Sequence, residues 1–410
     1  MTRLQWRTAG ESHGPTLIGI VEGIPAGLRL DVERVDAELA RRQMGYGRGG
    51  RMRIETDRVE ILSGWKGGIT IGSPIAFRVV NKDDVIERLP IPTNPRPGHA
   101  DLAGCMKWGH ADPRAVLERA SARETAARVA AAGIARQVLE AFGVDVFGSL
   151  TSLGGIRCSE HAFERAGERR AEIRDASDFL SLDPEKDIAM RAEVDRAKAD
   201  KDSLGGTFEI RALGLPPGLG SCASAAERLT GRLGGALFSI PAIKGVEFGI
   251  GFEVAERRGS DVHDAIVPAD GADPSAFARA TNRSGGLEGG MTTGEPLVVR
   301  AAMKPIPSIR VGLPSVDLHT GEATRATYQR SDVTSVPACA VVGEAMVALV
   351  LAEAFLDKYG GDSMDQVRAA VEHHRAEVAR LGRSGGSTDA ESTDGLPAGP
   401  DSGANSGTGA

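Results

Sequence analysis

Residues 64–82 read GWKGGITIGSPIAFRVVNK, and residues 286–304 read GLEGGMTTGEPLVVRAAMK. The two stretches align without a gap. They pair Gly67 with Gly289, Gly68 with Gly290, Thr70 with Thr292, Gly72 with Gly294, Pro74 with Pro296 and Arg78 with Arg300. In each, a Gly-Gly step is followed by an alternating run, the pattern of a hairpin leading into a strand. Upstream, the turn Gly23–Leu28 (GIPAGL) resembles Gly214–Leu219 (GLPPGL), and each precedes a helical pattern, Asp31 to Gln43 and Ala223 to Phe238. Downstream, each copy reaches an Arg-small-polar step, Arg119-Ala-Ser121 and Arg330-Ser-Asp332. Each then enters a long apolar helix that ends at Phe142 or Phe355. Four echoes in one order imply two related halves, about 1–146 and 205–358. Independent recruitment of Gly and Pro to turns would not preserve that order.

Strands are expected at Val59–Leu62, Ile75–Val80, Thr207–Leu213 and Pro296–Met303, where apolar residues alternate. The clearest helix runs from Pro113 to Phe142, with Asp112 as its N-cap and an Ala-rich body suited to close packing. The class is therefore α+β, with long helices covered by antiparallel hairpins and a pseudo-two-fold relation between the halves. His161 to Asp202 is rich in charge and reads as a partly helical surface excursion. The small, polar segment 384–410 reads as a disordered tail, leaving 1–383 as one domain.

The 410 residues carry 49 Lys+Arg and 56 Asp+Glu, a net charge of −7. That balance argues against wholesale binding to nucleic acid or to an anionic membrane. The most apolar stretch, Ala338–Phe355, contains Glu344 and Glu353 and reads as a buried helix rather than a membrane span. The first residues, MTRLQWRTAGESHG, lack an apolar core of signal-peptide length, and the four cysteines are scattered. A reducing cytoplasm is expected, without a structural zinc or other metal. The 53 glycines, against 4% aromatic residues, imply many backbone shapes that a side chain would forbid.

Four clusters carry groups capable of chemistry. Gly10-Glu-Ser-His-Gly14 places His13, beside Ser12, on an accessible loop, where an imidazole can exchange a proton near neutral pH. Arg41 to Arg53 holds five arginines among glycines and reads best as a small-anion site, although Arg/Gly segments also bind RNA. Arg96-Pro-Gly-His-Ala-Asp101 follows a Pro-rich approach that would hold His99 firmly; a second Gly-His-Ala-Asp, at 109–112, places His110 and Asp112 at a helix start. Finally, Arg119 and Arg123 on one helix face are expected to converge on one anion, with Arg330 and Asp332 as their counterpart. The loops 284–294 and Lys304–Ser308 are Gly-rich and Lys-bearing, as a phosphate or flavin site requires. Neither a GxGxxG after a strand nor a Walker motif is present.

Taken together, GESHG, RRQMGYGRG, RPGHAD, ERASARETAARVAA, GLEGGM, MKPI and QRSD, in this order from Gly10 to about Gly361, resemble the chorismate synthase family. The resemblance implies a β-α-β sandwich, with long helices between antiparallel sheets, that is usually homotetrameric. It implies an anti-1,4-elimination of phosphate from 5-enolpyruvylshikimate 3-phosphate, giving chorismate and requiring reduced FMN without net redox change. An acidic protein with many arginines suits a substrate bearing two carboxylates and a phosphate.

Residue by residue, the resemblance implies His13 as proton donor to the leaving phosphate, His99 as the group that steadies the reduced flavin, and Asp332 as a proton relay at flavin N5. Ser12, Arg42, Arg48, Arg123 and Arg330 would bind the anionic substrate. Arg119, Ala120, Ser121, Pro241, Ala242, Gly289, Lys304, Pro305, Ile306, Pro307, Ser308 and Arg330 would line the FMN. Arg42 and Arg48 are also open to a role with NADP. Pro241 stands where the family commonly has Asn or Gln, Ile250 where it has Asp in Gly-Asp-Gly, and His110 where it often has Phe. Two other readings stand beside the lyase: a flavin oxidoreductase on the same scaffold using NADPH, and an RNA-binding module built on Arg41–Arg53. Flavin reduction by the chain itself or by a separate reductase is left open.

Overall fold

In the computed structural model, residues 4–48, 56–269, 277–329 and 332–381 are described. Arg51, Arg53, Arg330, Ser331 and the expected tail 384–410 lie outside them. In chain order the elements are β1 (Gln5–Ala9), β2 (Thr16–Glu22), α1 (Val32–Gln43), β3 (Val59–Ile61), β4 (Trp65–Lys66), β5 (Ile69–Thr70), β6 (Ile75–Val80), α2 (Asp101–Trp108), α3 (Pro113–Ala120), α4 (Thr125–Glu140), β7 (Asp145–Leu153) and β8 (Ile156–Arg157). The charged excursion forms α5 (Ala162–Ala166), α6 (Arg170–Ala176) and α7 (Pro184–Ala199). Then follow β9 (Gly206–Leu213), α8 (Leu229–Phe238), β10 (Ile243–Phe248), α9 (Gly259–Val262), β11 (Ile266–Pro268), β12 (Phe277–Arg279), β13 (Leu287–Glu288), β14 (Met291–Thr292), β15 (Leu297–Met303), β16 (Pro314–Val316), β17 (Ala323–Arg325), α10 (Val336–Tyr359) and α11 (Met364–Arg380).

Both Gly-Gly steps close two-residue hairpins, β4–β5 and β13–β14, and all four glycines have positive φ, as such a turn demands. The aligned threonines make the same bonds. Thr70 Oγ1 donates to Pro25 O (2.6 Å) and accepts from Leu28 N (3.0 Å). Thr292 Oγ1 donates to Pro216 O (2.7 Å) and accepts from Leu219 N (2.8 Å). Each hairpin is thereby locked to its GxPxGL turn, and each leads into a central strand, β6 or β15.

Two antiparallel sheets result, in the orders β1-β2-β6-β3 and β10-β15-β9-β7-β8. Helix α4 packs on β1, β2 and β6, α10 packs on β7 and β9, and the two helices pack on each other. The fold is thus mixed α+β. Both helices are buried almost all round, which explains why they are apolar without a polar stripe. The apolar stretch expected to be a buried helix is α10. It closes on the sheet because Gly343 lacks a side chain: a Cβ there would lie 2.4 Å from the Phe208 ring.

Two helix expectations need correction. The run 113–142 is not one helix. Asp112 caps it as expected, accepting from Arg114 N (2.8 Å), but Ser121 is extended (φ −66°, ψ 143°) and splits it into α3, a 3-10 turn at Ala122–Glu124, and α4. Ala223–Phe238 is helical only from Leu229, after a 3-10 turn at Ala225–Glu227.

Between α1, α4 and β7 lies a buried carboxylate, Glu344 of α10. Its oxygens accept from Arg41 of α1 (2.7 and 2.9 Å), Arg136 of α4 (2.7 Å) and Gly148 N of β7 (2.9 Å), and Arg174 of α6 lies 3.6 Å away. Burial alone would raise this carboxyl, but Arg41 and Arg136 outweigh it and hold it well below the ordinary value. A depressed carboxylate contributes stability above its unfolded pKa, and that contribution is lost as pH falls toward the folded one. Removing one member of a buried ion cluster leaves the others uncompensated. Glu344→Gln should therefore cost about 3–5 kcal/mol at neutral pH. The difference from the parent, measured by urea unfolding, should narrow below about pH 4. A constant difference down to strong acid would refute the assignment.

Candidate active site

The loop between β1 and β2 carries His13. Asn81, just beyond β6, holds that loop by donating to Glu11 O (3.1 Å) and Gly14 O (2.7 Å). Ser12 is buried, and its backbone N–H donates to Glu118 O (3.0 Å). These contacts turn His13 toward α3. Its Nδ1 lies 2.7 Å from Glu118 Oε2 and its Nε2 3.7 Å from Asp83 Oδ2. Arg114, one turn earlier on α3, donates to the other Glu118 oxygen at 2.9 Å. Burial would raise the Glu118 carboxyl, but hydrogen bonds from His13 and Arg114 hold it below its ordinary value.

Arginines gather beside this group. Asp57, fully buried, accepts from Arg42 Nη2 (2.9 Å) on one oxygen and from Arg123 Nη1 (2.6 Å) on the other. Arg123 Nε donates to Asn81 Oδ1 (2.8 Å), so Asn81 joins the histidine loop to the arginines. Arg48 pairs with Asp332 (3.2 Å), whose same oxygen accepts from Ser335 (2.8 Å). Burial pushes Arg42 down to about 10; Asp57 opposes this, while Arg123 and Arg48 add to it. Arg42 Nε is buried with no hydrogen-bond partner among the described residues. Among the described residues three guanidiniums here face two carboxylates, an arrangement that suits an anionic ligand.

His99 forms a third group. Its Nδ1 lies 2.6 Å from Asp101 Oδ1, and Arg96 grips Asp101 through Nε (2.8 Å) and Nη2 (3.1 Å). Arg96 Nη2 also lies 3.0 Å from Nδ1. One ring nitrogen cannot serve both a donor and an acceptor, and the shorter contact to the anion wins. Burial would raise Asp101, but His99 and Arg96 hold it far below the carboxylate range. Lys304 Nζ donates to Gly98 O (2.8 Å), and Lys304 N donates to Ala242 O (3.0 Å). Ala242, next to Pro241, has φ +74°, a left-handed backbone that alanine seldom adopts. Burial, then nearby Lys244, lowers Lys304. The loop Lys304-Pro305-Ile306-Pro307-Ser308 is held by Ser203 Oγ on Ile306 O (2.7 Å) and by Ser308 Oγ on Gln329 O (2.6 Å).

The expected residues thus fall into linked groups. The loop of Ser12 and His13 is joined through Asn81 to Arg123 and Asp57, and through Arg119 to α3; Arg48 meets Asp332; Gly98, next to His99, meets Lys304 and, through it, Ala242. Gly289 is placed elsewhere, in the β13–β14 turn beside Cys222 and bonded through Gly290 O to Leu229 of α8.

Two expectations fail. Arg119 and Arg123 do not converge, because the break at Ser121 turns them apart. Arg119 donates to Gly10 O and Thr8 O, Arg123 to Asp57 and Asn81. Nor does Arg41 share a site with the other described arginines of 41–53: it is turned into the core on Glu344, while Arg42 is buried on Asp57 beside Arg48. Sequence reasoning missed Asp57, Asn81, Arg114 and Glu118. Glu118 opens the quoted ERASARE motif; Asp57 and Asn81 lie outside every motif. An open cleft of about 700 Å³, lined by residues including Phe248, Phe252, His263 and Ile266, takes in Ser284, Leu287 and Glu288 of the expected 284–294 loop but none of the expected histidines or arginines. Chemistry is placed on the histidine and arginine groups because charge and buried donors concentrate there.

A profile of the chorismate synthase family matches residues 4–356. The chain is 53% identical over 387 residues to a protein named chorismate synthase from Rubrobacter xylanophilus, covering 92% of this chain and 97% of that one. It is 50% identical over 401 residues to one of the same name from Desulforudis audaxviator, covering 93% and 100%. A crystal structure of a chorismate synthase superposes with a TM-score of 0.77 at 40% identity, covering 93% of this chain and all of that one.

The Asp57 geometry yields a test that needs no substrate. Asp57→Asn leaves Arg42 and Arg123 facing each other without their shared anion. It should lower thermal stability, by about 3–5 kcal/mol. Added inorganic phosphate should raise the variant's Tm more than the parent's, because an anion then replaces the missing charge. Equal shifts in both proteins would overturn this account of the cluster.

Proposed function

The chain belongs to the chorismate synthase family, and we propose that its site converts 5-enolpyruvylshikimate 3-phosphate to chorismate by anti-1,4-elimination of phosphate. It is a carbon–oxygen lyase of the shikimate pathway, at the last step common to the aromatic amino acids. The observation that carries the elimination is the Asn81 junction, which sets a histidine beside buried arginines. A leaving phosphate needs a proton and cations at one place.

His13, as imidazolium, gives its proton to the phosphate oxygen as the ring C–O bond breaks and the bonding pair leaves with phosphate. Arg42, Arg48, Arg123 and Arg330 hold the carboxylates and the phosphate, and buried Ser12 shapes the loop against them. The three described guanidiniums facing two carboxylates, with the Arg42 Nε that lacks a partner among the described residues, fit an anionic ligand. When bound, reduced FMN supplies an electron-rich ring for breaking the C–H bond. Arg119, Ala120, Ser121, Pro241, Ala242, Gly289, Arg330 and the Lys304–Ser308 loop would hold it. His99 steadies its anionic form, and Asp332 holds a proton for flavin N5. NADPH would serve only to reduce the flavin.

The same reading takes 1–383 as one domain, a β-α-β sandwich with duplicated halves, supported by the matching Thr70 and Thr292 bonds. It takes the protein as a cytoplasmic homotetramer. Ile18, Ile20 and Val80, each about half exposed on the outer face of the first sheet, support association.

Phosphate and chorismate formation, measured without oxygen and with chemically reduced FMN, tests the reaction. A parallel sample with oxidised FMN and NADPH distinguishes an intrinsic reductase from a separate one. His13→Ala should keep its fold and lose about 10²–10⁴-fold in kcat. Absence of product in the parent, or a loss below about tenfold in the variant, would defeat the reading.

A further inference from the structure

The two histidines share an architecture. Each Nδ1 meets a buried carboxylate, and each carboxylate is held by an arginine: His13–Glu118–Arg114, with Arg114 on the far oxygen, and His99–Asp101–Arg96, with Arg96 on both oxygens. The Glu118 and Asp101 side chains are 1% and 3% exposed, so solvent does not screen these pairs. Both carboxyls are held below their ordinary range despite burial, so they stay ionised. An ionised carboxylate only accepts hydrogen bonds, so the proton between it and the ring must sit on Nδ1. We propose that Glu118 and Asp101 are positioning residues that fix the Nδ1-protonated tautomer of His13 and His99, so that Nε2 of each is the nitrogen that exchanges a proton with the ligand.

For His13, the proposal rests on its reading as the proton donor. The arrangement holds the ring at one angle while Nε2 gives up its proton. The arginines matter because they occupy the second oxygen of each carboxylate and keep it from rotating. Other charges face the two rings. Around His13 are Asp83, from the segment after β6, Glu11, from its own loop, and Arg119, bonded to the Gly10 carbonyl. Around His99 are Arg96, Lys304, bonded to the Gly98 carbonyl, and Lys244 behind it. Asp83 is a third exposed and 3.7 Å from Nε2, so it is a weaker influence than Glu118.

Two measurements on the full-length protein test this. The first is the ¹⁵N spectrum of the unaltered protein above the histidine titrations, where His13 and His99 should appear as Nδ1–H tautomers. Finding the Nε2–H tautomer at either would overturn the assignment for that residue, and this reading does not depend on any variant folding. The second compares Glu118→Gln and Asp101→Asn with the parent. An amide donates to Nδ1 and reverses the tautomer. In the ¹⁵N spectrum, His13 of Glu118→Gln and His99 of Asp101→Asn should therefore appear as Nε2–H tautomers. Glu118→Gln should also lower kcat roughly tenfold or more with KM little changed. Glu118→Asp, which keeps the carboxylate, should recover part of the loss. If His13→Ala is slow while Glu118→Gln keeps the parent's tautomer and kcat, this inference fails alone. If His13→Ala turns over normally, the proton-donor reading fails as well.

Discussion

An ionised carboxylate in a protein interior must be surrounded by donors, and Glu344 meets that demand with groups from four other elements: α1, α4, α6 and β7. Those elements cannot move independently without exposing a charge to an apolar core. The consequence reaches the site through α1. Arg41 is pinned inward on Glu344, so Arg42, about 100° further round the helix, is aimed at Asp57. On α4, Arg136 is held by the same carboxylate, while Thr125 at its N-terminus lies near Arg42. The core network thus orients the helix ends from which the arginine cluster is built.

The site follows the same rule on a smaller scale. Asp57 aligns two guanidiniums, Asp332 aligns Arg48, and Glu118 and Asp101 align two imidazoles. Arg42, Arg48, Arg123, His13 and His99 each have a carboxylate anchor, yet among the described residues Arg42, Arg48 and Arg123 outnumber Asp57 and Asp332. Preorganised charge of this kind needs little rearrangement when an anion arrives, which is where electrostatic catalysis has its advantage. The break at Ser121 belongs to this design. A continuous helix would have placed Arg119 and Arg123 on one face; the break sends one to the loop that bears His13 and the other to Asp57.

Much of the fold was legible. The period-2 runs became β6, β9 and β15 within a residue, Asp31 and Asp112 cap α1 and α3, and the aligned Gly-Gly steps make matching hairpins. These are local features, decided by φ/ψ preference and alternation over a few residues. The helix break at Ser121 was not legible, because a serine in an Ala-rich run looks helical until a tertiary demand on Arg123 extends its backbone. Most of the anchors of the motif histidines and arginines escaped notice. Asp57 comes from a segment with no distinguishing composition, Asn81 lies near the end of the aligned stretch 64–82 without a partner in the pattern, and an isolated Asp or Asn is usually a turn residue.

The sequence by itself determined most of the strands, the order of the two echoing segments and the family, because these depend on short-range pattern or on motifs read in order. Only the tertiary structure decided which arginine serves the core and which the site, which nitrogen of each histidine faces a carboxylate, and why Arg119 and Arg123 part company. Apart from the His99–Asp101 pair, two residues apart, those outcomes depend on partners 15 to 303 residues away in the chain. Coulomb and desolvation energies are set by distance in space, which sequence spacing does not encode.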